Sequence, residues 1–154
     1  MTITNTILSS QTIAPGIQRI DVFQPEIAKK ARPGQFVLVH LNDRGERVPL
    51  TIVDTNEEKN NITLIVQQVG KSTLLINQMK NGEVIQDILG PLGTPTEIAR
   101  YGTALVIGGG VGTAVAYPVA KALKEAGNTL VGMIGARSKE FIILEPQLKE
   151  ICDE

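Results

Sequence analysis

The stretch Ala104-Leu105-Val106-Ile107-Gly108-Gly109-Gly110-Val111-Gly112-Thr113-Ala114 decides the fold. Ala104–Ile107 reads as a strand of the kind buried on both faces of a parallel sheet. The glycine run follows at once. After it comes an alanine-rich helical segment in which Val115, Val119, Leu123 and Ala126 line one face and Gly127 closes the end. Pro118 either marks the first helical turn or kinks the segment. Leu130–Ile134 is a second apolar strand and Glu145–Cys152 a second helix. A β-α-β-α series of this kind is doubly wound.

Glycines between a strand and a helix let the backbone approach an anion closely, while the helix N-terminus supplies N–H groups and a positive dipole end. The other reading is that they only permit tight strand–helix packing. The spacing departs from G-x-G-x-x-G: counting from Gly108 puts Thr113 in the last place, and counting from Gly110 puts Val115 there. The second strand runs into Gly135-Ala136-Arg137-Ser138-Lys139, basic where an NAD-type domain carries an acid. A standard NAD-type Rossmann domain is therefore disfavoured.

Upstream the texture changes. Ile3–Leu8, Ile17–Phe23, Phe36–Leu41, Leu50–Val53, Ile62–Val69 and Val84–Leu89 are short strands, separated by turns such as Pro15-Gly16, Pro33-Gly34, Arg44-Gly45, Asn60-Asn61 and Asn81-Gly82. Their spacing predicts an antiparallel barrel or sandwich. Ser72–Lys80 reads as one short helix with Ser72 as its N-cap, and Gly90–Pro95 as a linker.

The whole chain has 154 residues, 42% of them hydrophobic, which predicts one domain or two small ones. The net charge of -1 argues against a nucleic-acid binder. One cysteine holds neither a disulfide framework nor, by itself, an iron–sulfur cluster or a structural zinc. No membrane-spanning run and no secretory signal is visible, and the expectation is a cytoplasmic protein.

Two segments upstream of the glycine run offer chemistry. Arg47-Val48-Pro49-Leu50-Thr51 opens a strand after the Asp43–Glu46 turn. Arg47 can grip a phosphate bidentately, Leu50 offers an apolar face and Thr51 a hydroxyl, although a strand that merely begins with an exposed Arg is the commoner case. Gly70-Lys71-Ser72 resembles the end of a P-loop, but the glycine required five residues before Gly70 is Ile65, so the nucleotide-triphosphatase reading fails. A phosphate-holding turn and a plain capped turn remain equally open there. His40 reads as structural, Cys152 as an ordinary thiol, and Asp54 as site lining or a strand end.

The order of these motifs resembles the ferredoxin–NADP reductase superfamily from about Ala31 to Glu154. It is most similar to the electron-transfer subunit branch, which includes the B-type dihydroorotate dehydrogenase, sulfide dehydrogenase and NADH-dependent reduced ferredoxin:NADP oxidoreductase small subunits. The resemblance implies an antiparallel Greek-key FAD-binding barrel over residues 1–95 and a partial doubly wound NAD(P)-binding domain over 96–154. It implies that Arg47 contacts the FAD pyrophosphate, that Pro49, Leu50 and Thr51 lie at the flavin ring with Thr51 near N5, and that Gly70, Lys71, Ser72 and Thr73 cradle FAD phosphate. Gly108, Gly109, Gly110, Val111 and Gly112 would receive the dinucleotide, and Arg137 would sit near its adenosine ribose. Relatives commonly carry Ala-Pro after the glycine turn, where Ala114-Val115 stands here. The implied function is hydride exchange between NAD(P)H and FAD, with onward transfer to an iron–sulfur centre or a larger partner subunit. Relatives continue into a cysteine cluster for [2Fe-2S], and Cys152 falls before its position, so the resemblance implies a truncated chain. The alternatives are a FAD-binding module without turnover and a non-catalytic interaction domain.

Overall fold

The computed structural model describes residues 1–43 and 45–154; Arg44, part of the expected Asp43–Glu46 turn, lies outside the described residues. Strands β1 (Ile7–Ala14), β2 (Ile17–Phe23), β6 (Asn61–Gln67) and β5 (Asp54–Asn56) form an antiparallel sheet in the order β1-β2-β6-β5. A second antiparallel sheet has β3 (Phe36–His40) between β4 (Val48–Thr51) and β7 (Asp87–Leu92). Helices α1 (Pro25–Lys30) and α2 (Lys71–Gln78) complete this half. Ile20, Val22, Ile62, Leu64 and Val66 from the first sheet meet Val37 and Val39 from the second, with Ile27 of α1 and Ile76 of α2. The sheets make a barrel-like layer pair that their hydrogen bonds do not close.

The second half is β8 (Thr103–Gly109), α3 (Gly112–Glu125), β9 (Thr129–Gly135), a 3-10 turn at Lys139–Phe141, and α4 (Glu145–Ile151). β8 and β9 pair in parallel, from Thr103 opposite Thr129 to Gly109 opposite Gly135. A second core gathers Ala114, Tyr117, Ala120, Leu130, Ile143, Leu144 and Leu148, and it takes in Ala14, Ile17, Val53 and Ile65 from the first half. The strand β6 is thus buried on both sides: Leu64 and Val66 face the barrel core, while Ile65 faces α3 and α4.

Several expectations are corrected. The first strand is Ile7–Ala14 rather than Ile3–Leu8, because Asn5 adopts φ 70° and Thr6 turns back onto the Ile3 carbonyl. Its polar Ser9 and Ser10 are half-buried and Gln11 and Thr12 exposed. The apolar run Leu50–Val53 divides between β4 and the approach to β5. The supposed linker Gly90–Pro95 starts as strand, since Gly90 to Leu92 finish β7. Pro91 is tolerated there because β7 is an edge strand, and a Cβ on Gly90 would stand 2.7 Å from Val37 Cγ1. Helix α1 was not legible as a strand-rich segment, although Pro25 at its first turn and Lys29-Lys30 at its last are helix-end signals.

The strand Ala104–Ile107 is covered on one face only. Leu105, Ile107 and Met133 are 57%, 65% and 58% exposed, because α3 and α4 pack on the opposite face of β8–β9. The helix also turns a different face inward from the expected Val115–Val119–Leu123–Ala126 stripe. Ala114, Tyr117, Pro118 and Ala120 are buried and Val115 is exposed. Small side chains face the sheet because helix and strand approach closely, with Gly108 directly against Thr113. Pro118 lies in the second turn of α3, inside the helix.

Candidate functional site

Helix α2 starts one residue after Gly70, so Gly70 and not Ser72 is its N-cap. Thr73 Oγ1 accepts the N–H groups of Val69 and Gly70 at 2.9 and 3.0 Å and donates to the Gly70 carbonyl at 3.0 Å. This fixes the Gly70–Thr73 turn from within and leaves Lys71 and Ser72 facing outward. Both line a 430 Å³ cavity with Leu41, Gly45, Glu46 and Leu75, between α2 and the β3–β4 connection. Gly70 has extended backbone and open space where a Cβ would be. Neither protein packing nor backbone strain demands glycine there, which is what a closely approaching phosphate would require.

Arg47 and Lys71 are not brought to one cavity. Arg47 is exposed, and its Nη1 donates to Asp87 Oδ2 at 2.8 Å. Along β4 the side chains alternate: Val48 and Leu50 pack against the barrel core, while Pro49 and Thr51 take the other face. Leu50 and Thr51 therefore do not present one continuous surface. Asp87 is the Cα partner of His40 on the central strand, so the Arg47–Asp87 pair spans β3. His40 Nε2 lies 3.1 Å from the Gly45 carbonyl and holds the β3–β4 connection, a structural role.

At the head of α3, Gly110 has φ +52° and its N–H donates to the Gly135 carbonyl at 2.7 Å, tying the two strand ends together. Gly108 is glycine for packing, since a Cβ there would stand 2.8 Å from Thr113 Cα. Gly109, Gly110 and Gly112 face open space. The packing reading thus applies to Gly108, while the open faces of the other three leave room for the close approach of an anion. Gly109, Gly110 and Val111 line a 320 Å³ cavity with Gln67, Arg137 and Phe141. The Arg137 guanidinium stacks over the Phe141 ring at 3.8 Å. Phe141 and Gln67 are absent from the sequence-based expectation. Their only signal is the four-residue step from Arg137 to Phe141 and the end of a β-strand.

Asp54 sits where the halves meet. Lys121 Nζ on α3 donates to Asp54 Oδ1 at 2.9 Å. The Asp54 hydrogen bond pushes the Lys121 pKa up, and burial pushes up that of Tyr117. Cys152 packs near Gly132, its thiol pushed up by burial. Among the described residues no group of three or more His, Cys, Asp and Glu is placed to hold a metal, and no helix is long and apolar enough to cross a membrane.

No protein-family model matches the chain. A Thermotoga maritima protein, the "Dihydroorotate dehydrogenase B (NAD(+)), electron transfer subunit homolog", is 46% identical over 149 residues, covering 97% of this chain and 53% of that protein. A Bacillus cereus dihydroorotate dehydrogenase B electron transfer subunit is 30% identical over 96% of this chain and 59% of its own length. The solved NADH-dependent reduced ferredoxin-NADP oxidoreductase, described for flavin-based electron bifurcation, superposes with a TM-score of 0.93 at 45% identity, over 98% of this chain and 55% of that one. Phthalate dioxygenase reductase, at 16% identity and a TM-score of 0.78, shares the fold. The chain spans about half the length of the relatives it matches. It carries the ferredoxin–NADP reductase-like fold and is homologous to electron-transfer subunits of the dihydroorotate dehydrogenase B kind over that half.

Proposed function

We propose that this chain binds FAD on its barrel-like half, residues 1–95, and a nicotinamide dinucleotide at the glycine turn of residues 96–154. In this reading it relays electrons between NAD(P)H and a larger partner subunit or an iron–sulfur centre. The observation that carries the reading is the end of β6. Gln67 lines the cavity at the glycine turn and Lys71 lines the cavity at α2, only four residues further on. Four residues span at most about 14 Å, so two phosphate-compatible turns open within one cofactor's reach of each other. A cytoplasmic location goes with the same reading.

Lys71 and Ser72 hold FAD phosphate at the head of α2, where the turn fixed by Thr73 presents a side-chain cation and a hydroxyl. Arg47 exchanges Asp87 for the pyrophosphate, and Thr51 offers a hydroxyl toward the ring nitrogen N5. The open faces of Gly109, Gly110 and Gly112 admit the dinucleotide pyrophosphate to the N-terminus of α3. Arg137, stacked on Phe141, presents a flat cation to the adenosine. Bound FAD supplies the redox chemistry, and the chain's part is to orient two rings and exclude water.

Anaerobic addition of NADH or NADPH to the FAD-loaded chain tests this, with loss of the flavin's visible absorbance expected. Bound FAD that neither nucleotide bleaches favours the second reading, a flavin-binding module without turnover. The half-covered β8–β9 sheet, with Leu105, Ile107 and Met133 exposed, is the observation behind that alternative.

A further inference from the structure

We propose that the Asp54–Lys121 pair is a positioning latch that sets the place of α3 and its glycine turn relative to the proposed flavin-binding strand β4. The inference rests on the flavin reading above for its functional consequence, but not for its geometry. Asp54 is three residues beyond Thr51, and the intervening residues cannot yield independently. Ile52 is plugged into the barrel core and Val53 into the second core, and their N–H groups donate to the Gln35 and Thr63 carbonyls at 3.1 and 2.9 Å. The Asp54 carboxylate therefore moves with Thr51. Lys121 is nine residues along α3 from Gly112, on the same helix as the glycine turn. At 2.9 Å the pair joins the two proposed reaction partners through rigid elements.

Two other directional contacts between the halves end on the β7–β8 connection rather than on α3: the Thr96 N–H donates to the Pro33 carbonyl at 2.9 Å and Gln35 Nε2 to the Gly93 carbonyl at 2.9 Å. The apolar contacts of Ala14, Ile17, Val53 and Ile65 with α3 and α4 are non-directional. The connection between β7 and β8, residues 93–102, contains no helix or strand. Beside the pair is a 220 Å³ cavity that Arg32, Thr55, Pro118 and Glu125 also line, so the halves are not packed solid there. A directional contact on α3 itself, beside that cavity, is where register between the halves is decided. A shift of about 1 Å between reacting atoms lowers a transfer rate on the order of a hundredfold.

The test is hydrogen exchange on the full chain, run beside FAD titration, for wild type, Lys121→Met, Lys121→Asp and the swap Asp54→Lys/Lys121→Asp. Lys121→Asp is expected to speed exchange in residues 93–102 and at the interface amides of α3 by about threefold or more, as expected for loss of a half-exposed ion pair, with a smaller effect in Lys121→Met. Exchange in Ile62–Val66 and FAD affinity stay at the wild-type level. The swap returns the interface to wild-type exchange, and in FAD-loaded protein it restores a nicotinamide bleaching rate that Lys121→Asp lowers. Unchanged interface exchange in Lys121→Asp, or a swap that recovers nothing, overturns the latch. A wild-type chain that binds no FAD overturns the flavin reading instead, and the exchange measurements still decide the latch.

Discussion

Arg47 Nη1 donates to Asp87 Oδ2 at 2.8 Å, across the central strand of the β4-β3-β7 sheet. Both side chains are about half exposed, so the pair contributes at most about 1 kcal/mol to stability. Its interest lies in competition. An arginine that grips a pyrophosphate must leave this carboxylate, so Asp87→Asn is expected to tighten FAD binding while shifting the unfolding midpoint little. Weaker FAD binding by Asp87→Asn in a fluorescence titration would remove Arg47 from the phosphate site.

Gly108 is tight against Thr113 while Gly109 faces open space, and two alanine substitutions separate a packing role from the proposed ligand role. Gly108→Ala puts a Cβ 2.8 Å from Thr113 Cα, which is backbone and cannot swing aside. It is expected to cost about 1–3 kcal/mol in denaturant unfolding. Gly109→Ala meets open space and is expected to leave stability within about 0.5 kcal/mol while weakening NADH or NADPH binding. Equal destabilisation by both substitutions would contradict the division.

Asn128 is buried, and its side chain makes four hydrogen bonds. Oδ1 accepts from the Tyr101 and Gly102 N–H groups at 2.6 and 3.0 Å, and Nδ2 donates to the Ala99 and Leu123 carbonyls at 2.9 and 2.8 Å. It pins the start of β8 to the end of α3. Asn128→Ala strands these backbone groups and is expected to lose about 2–4 kcal/mol in a thermal or urea melt. A loss within about 0.5 kcal/mol would show that water replaces the side chain without penalty.

Asp153 fastens the C-terminal residues to β9. The Lys124 ammonium, at 2.6 and 2.7 Å, and the Leu130 N–H, at 2.8 Å, hold its carboxyl below the usual aspartate range. A carboxyl depressed on folding contributes fully above its ordinary value and loses that contribution as pH falls through the folded one. The Gly132 amide, which donates to the Glu154 carbonyl, should therefore keep its protection from neutral pH to about 4 and lose it below. Loss of protection already near neutral pH would contradict the assignment.

Much of the architecture was legible because local signals agreed with it. The apolar run before Gly108, the glycines, the helix closed by Gly127 and the second strand all stand where periodicity puts them. What failed depended on the other half of the molecule. Ile62, Leu64 and Val66 face the barrel core, and the intervening Ile65 is apolar because α3 and α4 cover it, which no local pattern shows. The inward face of α3 differs from the expected Val115 stripe because the small Ala114 and Ala120 permit close packing there, with Tyr117 buried between them. Leu105 and Ile107 read as doubly buried, since a sequence shows that a strand is apolar and not which faces are covered. Arg47, Lys71 and Gly110 were visible by residue type. Asp87, which pairs with Arg47, and Glu46 and Gln67, which line the cavities beside Lys71 and Gly110, like the Asp54–Lys121 contact, bring together residues far apart in the chain and leave no local spacing to read.

Equilibrium titration of the full chain with FAD, followed by quenching of flavin fluorescence, tests the central claim most directly. The account predicts saturable one-to-one binding with a Kd on the order of micromolar or tighter. Replacing Arg47 by alanine should weaken it by about ten- to a hundredfold, as for a charge-assisted phosphate contact. No saturable quenching at concentrations about a hundredfold above that range, or an Arg47→Ala affinity equal to wild type, would contradict the flavin site or its assignment respectively.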